Sequence, residues 1–178
     1  MTSHSEKSVG STLCTACKLC CQGVVLSGVL VRGEEREWAQ RRRLPLVETP
    51  MGSAFAQPCP LLDESGCSAY EERPGPCRRF ACKLLVATEK GESSLGAALV
   101  QVATLRADMA TVQADVPVAD RPRMWQLAAL IADASTDLEA RALAIDELGP
   151  LVAPLQALRA RINEIIISPE ENAASRED

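Results

Sequence analysis

The chain has 178 residues, 47% hydrophobic but only 3% aromatic, and a formal net charge of −5. That length holds one ordinary domain, or one small domain with a helical extension, and a core built from Ala, Leu, Val and Ile favours packed helices over a β-sandwich. No apolar stretch approaches the roughly 20 residues needed to span a bilayer, so a membrane role is not expected. Met1 to Ser8 lacks the apolar core of a secretory signal, so the expected compartment is the cytosol. Residues 1–90 carry 12 Lys/Arg against 10 Asp/Glu, and residues 91–178 carry 7 against 14. An acidic chain with few aromatics to stack on bases argues against a nucleic-acid partner, despite Arg41-Arg42-Arg43.

In chain order, residues 1–12 are polar, rich in Ser and Thr, and expected to be disordered, with tails at 1–9 and 168–178. Val24 to Val31 is short and β-branched and reads as a strand or hairpin. Glu34 to Arg43 reads as a polar helix anchored by Trp38. Residues 44–60 hold four prolines and a glycine and read as a loop. Asp63-Glu-Ser-Gly66 is a turn signal, and Pro74-Gly-Pro76 breaks the chain again.

The second half changes character. Val102, Leu105, Met109, Val112 and Val116 recur at spacings of three and four, one face of a helix. Pro122 suits a first helical turn, with Met124, Leu127, Leu130 and Ile131 continuing the pattern. Thr136-x-x-Glu139 reads as a capping box opening a helix that carries Leu138, Ala142, Ile145 and Leu148. Leu151, Leu155, Leu158, Ile162 and Ile165 mark a last helix, with Pro154 tolerated in its first turn. The fold class expected is α+β, mostly α: an irregular, metal-stapled Cys-rich module over 10–90 packed on a helical hairpin or bundle over 93–167.

All eight cysteines lie between Cys14 and Cys82. Four form Cys14-x-x-Cys17-x-x-Cys20-Cys21, and Cys59, Cys67, Cys77 and Cys82 complete the set. In a reducing cytosol, clustered cysteines bind metal or do redox chemistry more often than they form disulfides; metal is the reading preferred here, with disulfides and a free-thiol redox protein as the lesser alternatives. A Cys-x-x-Cys step brings two sulfurs to one ion at about 2.3 Å each for zinc, while backbone amides curl around them. Adjacent Cys20 and Cys21 point apart, so they serve different sites or one is a buried non-ligand. The eight divide into two zinc sites of four thiolates, the reading preferred; Cys59-Pro60 behind a Cys-x-x-Cys-x-x-Cys run also suits an iron–sulfur cluster, although Cys21 directly after Cys20 departs from the ferredoxin spacing. Arg32, Arg41, Arg42, Arg43, Arg73, Arg78 and Arg79 are available to offset thiolate charge.

The run Cys14-Thr-Ala-Cys17-Lys-Leu-Cys20-Cys21, then Pro58-Cys59-Pro60-Leu61, then Gly66-Cys67-Ser-Ala-Tyr70-Glu71-Glu72-Arg73-Pro74-x-x-Cys77-Arg78-x-Phe80-x-Cys82, resembles the bacterial cysteine-cluster family known as YkgJ. That resemblance spans about residues 14–82 and implies a zinc- or iron-chelating domain. It leaves residues 90–178 unassigned. The candidate metal ligands are Cys14, Cys17, Cys20, Cys21, Cys59, Cys67, Cys77 and Cys82.

His4 stands alone in a polar tail and reads as a surface residue. With no second histidine, a His general base or a His-ligated catalytic zinc is excluded. No P-loop, dinucleotide-binding glycine motif, nucleophile elbow or His-Glu-x-x-His motif appears, so no catalytic residue is assigned. Tyr70, Arg73 and Arg78 are expected to brace the cluster, with Arg73 or Arg78 pairing Glu71 or Glu72. The expected function is metal binding. The alternatives are a redox or enzymatic iron–sulfur protein, and a zinc-structured module whose C-terminal helices bind a protein partner.

Overall fold

A computed structural model describes residues 8–133 and 136–167. His4 and the terminal segments 1–7 and 168–178 lie outside the described residues. The fold is α+β and mostly helical. Helix α1 (Val9–Cys17) opens the chain, well inside the stretch expected to be disordered. Ser8 explains the difference: its hydroxyl accepts the Ser11 N–H at 3.1 Å and caps the helix.

Next come β1 (Gly28–Val31), α2 (Glu34–Arg41), β2 (Leu46–Thr49) and β3 (Gly52–Ala56). The loop expected over 44–60 is therefore largely a hairpin. Its prolines flank the strands rather than interrupt them, and Pro50 falls in the turn, where no ladder N–H is lost. The three strands form an antiparallel sheet in the order β1-β3-β2, with Val29 opposite Phe55 and Leu46 also opposite Phe55. Val29, Val31, Ala39, Leu44 and Phe55 make a small apolar cluster between this sheet and α2. Trp38 packs against its edge, as expected of an anchor.

A second hairpin, β4 (Leu62–Asp63) and β5 (Gly66–Cys67), turns through Asp63 to Gly66. The Asp63 carboxylate accepts the Ser65 N–H at 2.7 Å, the Ser65 hydroxyl at 2.6 Å and the Gly66 N–H at 3.0 Å. Those hydroxyl and amide bonds hold its carboxyl below the usual range. Then follow α3 (Gly75–Arg79), α4 (Lys83–Glu89), α5 (Leu95–Val112), α6 (Arg121–Ala132), α7 (Leu138–Leu148) and α8 (Val152–Ile165).

The main core joins the two halves. Leu13 and Leu19 from the cysteine-rich segment are buried with Leu84, Leu85, Val102, Leu105, Met124, Leu155 and Ile166. Lys83 ties the same halves together: its N–H donates to Ile166 O at 2.9 Å and its ammonium to Glu164 O at 3.0 Å. By length and composition α5 passes for a membrane span, contrary to expectation. It nevertheless sets Ala98, Val102, Leu105 and Met109 into the core, while its Asp108 pairs with Arg161.

Two details of the helical half depart from the sequence pattern. The cap of α7 is Asp137, whose carboxylate accepts the Ala140 N–H at 2.9 Å, rather than Thr136. The buried face of α7 is Ala144 and Leu148, whereas Leu138 and Ile145 face outward at 81% and 44% exposure. Ala144 and Leu148, four residues apart on one face, are the α7 side chains that join the main core.

Candidate metal centre

Six local structures deliver the eight cysteines to one cavity. Cys14 and Cys17 stand one turn apart on α1. Lys18 ends that helix in the left-handed region at φ 61°, its N–H returning to Cys14 O at 3.0 Å, so the chain turns sharply before Cys20 and Cys21. Lys18 then reaches across to the β4–β5 turn, its ammonium donating to Asp63 O at 3.2 Å and to Glu64 O. Gly66, at φ +128°, lies so close to α1 that a Cβ there would stand 3.0 Å from Thr15 Cγ2. That close approach brings Cys67 near Cys21. The Cys59 N–H donates to Cys21 O at 2.8 Å and fixes Cys59 in the same way.

Cys77 rides on α3, whose first amide, Gly75 N–H, donates to Glu35 Oε1 at 2.6 Å. Cys82 is the N-cap of α4, its sulfur accepting the Leu85 N–H at 3.4 Å. All eight side chains are half-buried and line a single cavity of about 110 Å³. No disulfide joins any of them.

The thiols fall into two sets. Cys14, Cys17 and Cys82 pack against the main core, while Cys59 and Cys77 pack against the small cluster under the sheet. The electrostatics follow this division in part. Burial pushes the Cys20 thiol well up, and charge on Cys17 and Cys82 adds to it more than charge on Cys21. Burial pushes Cys21 up to about 12, with Cys59, Cys67 and Cys77 as its principal charged neighbours. Cys17 rises to about 11, chiefly through burial and then through Cys82 and Cys14, against the backbone N–H of Leu19. Cys77 also rises to about 11, through burial and then Cys59 and Cys67. Cys20 thus leans towards Cys17 and Cys82, and Cys21 towards Cys59, Cys67 and Cys77, while Cys20 also feels Cys21, and Cys14 bears on both.

Positive charge is sparse around them. Burial raises the Cys14 thiol and the neighbouring Arg73 charge lowers it in part. Arg106 from α5 lowers the Cys17 thiol and donates to Ala16 O at 3.0 Å. Of the other arginines expected to compensate the thiolates, Arg42 pairs with Glu72, Arg41 pairs with Glu37, and Arg32 donates to Met51 O at 3.1 Å. The expected pairing of Glu72 with Arg73 or Arg78 is therefore replaced by Arg42. Sequence reasoning missed Arg106, because nothing local marks a residue that meets its partner from 90 positions away.

The donor set suits a soft metal in kind: eight thiols, sheltered and reinforced by backbone N–H groups. Among the described residues, no three Cys, His, Asp or Glu side chains are gathered in a geometry that would hold a single ion. Thiols at neutral pH with raised pKa values must lose protons to bind, so loading is coupled to proton release.

Residues 13–96 match the CxxCxxCC family model. Its description is "Putative zinc- or iron-chelating domain", and the match covers just under half of the chain. The CxxCxxCC segment contains all eight cysteines together with Tyr70 and Arg73. Helices α5 to α8 lie almost wholly beyond it. No curated protein and no solved structure matches the chain.

Proposed function

We propose that the chain is a cytosolic metal-binding protein whose eight cysteines form two sites of four thiolates each. One site takes Cys14, Cys17, Cys20 and Cys82, the other Cys21, Cys59, Cys67 and Cys77. The observation that carries this reading is that Cys14, Cys17 and Cys82 pack against the main core and Cys59 and Cys77 against the small cluster, with Cys17 and Cys82 the first charged neighbours of Cys20 and Cys59, Cys67 and Cys77 those of Cys21. The zinc- or iron-chelating description of the CxxCxxCC segment supports the metal. Bound metal would neutralise part of the thiolate charge and hold six separate local structures in place. Closed sites of this kind bind and stabilise, and no group on the chain is assigned to a reaction.

An iron–sulfur protein is the second reading, and one feature favours it. Four sulfurs around a single zinc must come within about 3.8 Å of one another, from four bonds of about 2.3 Å in tetrahedral geometry. No three thiols are gathered for one ion, and a cluster, which brings its own sulfides and several irons, spreads its cysteines farther apart. Anaerobic purification followed by metal and sulfide analysis and a visible spectrum separates the two. Colourless protein with two zinc ions supports the first, and brown protein with iron and sulfide the second. A metal-free protein that takes up neither would remove both.

A further inference from the structure

A second cavity, of about 220 Å³, lies where the cysteine-rich half meets α6 and α8. Gln22, Val24 and Gln57 line it from one side, and Trp125, Asp133 and Arg159 from the other; none of the eight cysteines does. The backbone fixes the two glutamines beside each other. Gly23, at φ +80°, runs so close to Gln57 that a Cβ there would stand 3.3 Å from Gln57 Cβ. The Gln57 N–H donates to Ser27 O at 3.1 Å, and the Gln22 N–H to Lys18 O at 2.9 Å.

The side-chain carbonyls of Gln22 and Gln57 are both buried without a hydrogen-bond partner among the described residues. Gln57 as a whole is only 7% exposed. A buried acceptor left without a donor is costly, and two of them on one cavity suit a guest that brings donors. The other wall supplies charge. Among the described residues lining the cavity, Arg159 and Asp133 are ionised, one of each sign. Burial lowers the pKa of Arg159, and the Asp133 charge partly offsets it.

A molecule carrying both charges answers that pattern. A carboxylate matches the planar fork of Arg159. An ammonium has three N–H donors and no acceptor, which suits two amide carbonyls and a carboxylate. A water takes about 30 Å³ in the liquid, so the cavity has room for several heavy atoms. Val24 and Trp125, both buried, give apolar walls for a short side chain. We propose that this cavity binds a small zwitterion, an α-amino acid, with its carboxylate on Arg159 and its ammonium among Gln22, Gln57 and Asp133. The site stands apart from the division of the thiols and holds whichever metal they take.

The test uses anaerobically purified full-length protein with its metal left in place. The common amino acids are titrated one by one in a calorimeter, with acetate and methylamine as the two half-molecules. Metal content is measured before and after. At least one amino acid should bind once per chain with a Kd below about 1 mM, and each half-molecule at least about tenfold more weakly. Arg159→Gln should weaken that binding at least about tenfold. Ala129→Leu, which fills the cavity from α6, should abolish it and carries the test if Arg159→Gln does not fold; circular dichroism checks both variants. Failure of every amino acid to bind overturns the proposal. Binding that survives both substitutions places the amino acid elsewhere and overturns the site, and acetate binding as tightly as the amino acid overturns the zwitterion.

Discussion

Raising the pH of the metal-free protein should unfold it, and the metal-loaded protein should resist. A thiol whose pKa rises on folding holds its proton more tightly in the folded state. Its stabilisation is fully present below the ordinary value and is lost as pH climbs through the raised one. Cys17 goes from 9.0 to about 11, which at 1.36 kcal/mol per pH unit is about 3 kcal/mol. Cys77 makes a similar change and Cys21 a larger one, to about 12. Against the roughly 5–15 kcal/mol that holds a domain folded, a change of the size given for Cys17 alone is large. Urea denaturation of reduced, metal-free protein, followed by circular dichroism under anaerobic conditions, should show the midpoint falling steadily from pH 9 to pH 11. Loaded protein, whose thiols have already lost their protons to the metal, should show a much smaller fall. A midpoint that is flat from pH 8.5 to 10.5 without metal, or that falls equally with it, refutes the burial and mutual repulsion described for these thiols.

Three substitutions test the scaffold. Gly66→Val adds a side chain against Thr15 at a backbone angle few residues adopt, so it should cost about 2 kcal/mol or more in thermal or urea unfolding and lower bound metal by displacing Cys67. Leu105→Ala, at a fully buried position, should cost about 2–5 kcal/mol in urea unfolding; because the core is shared, metal retention at elevated temperature should fall as well. Asp137→Ala should cost about 1 kcal/mol and Thr136→Ala clearly less, since Asp137 is the cap; the reverse order in paired thermal melts would reinstate the capping box.

Much of the site was legible in the sequence because cysteine is rare and its spacing is chemically constrained. The eight residues picked out by spacing all reach one cavity, and the divergence of Cys20 and Cys21 follows from adjacent side chains pointing apart. The core stripe of α5 was equally plain, Val102, Leu105 and Met109 all being buried. What escaped depends on packing partners. The β2–β3 hairpin was hidden by prolines that a composition argument counts but does not place. The outward turn of Leu138 and Ile145 depends on which face of α7 meets the rest of the core, which no periodicity in α7 encodes. Arg106 meets Cys17 only because α5 lies along α1, a contact set by the tertiary fold alone.

The central claim is two metal sites with Cys20 in one and Cys21 in the other. Metal per chain, measured by native mass spectrometry on anaerobically purified wild type, Cys20→Ser and Cys21→Ser, tests it most directly. Serine oxygen is a poor replacement for thiolate at a soft metal, so each variant should lose one of two centres, and the double variant should lose both. Equal metal content in all four proteins, or loss of every centre from either single variant, would contradict the division of the eight cysteines into two sites.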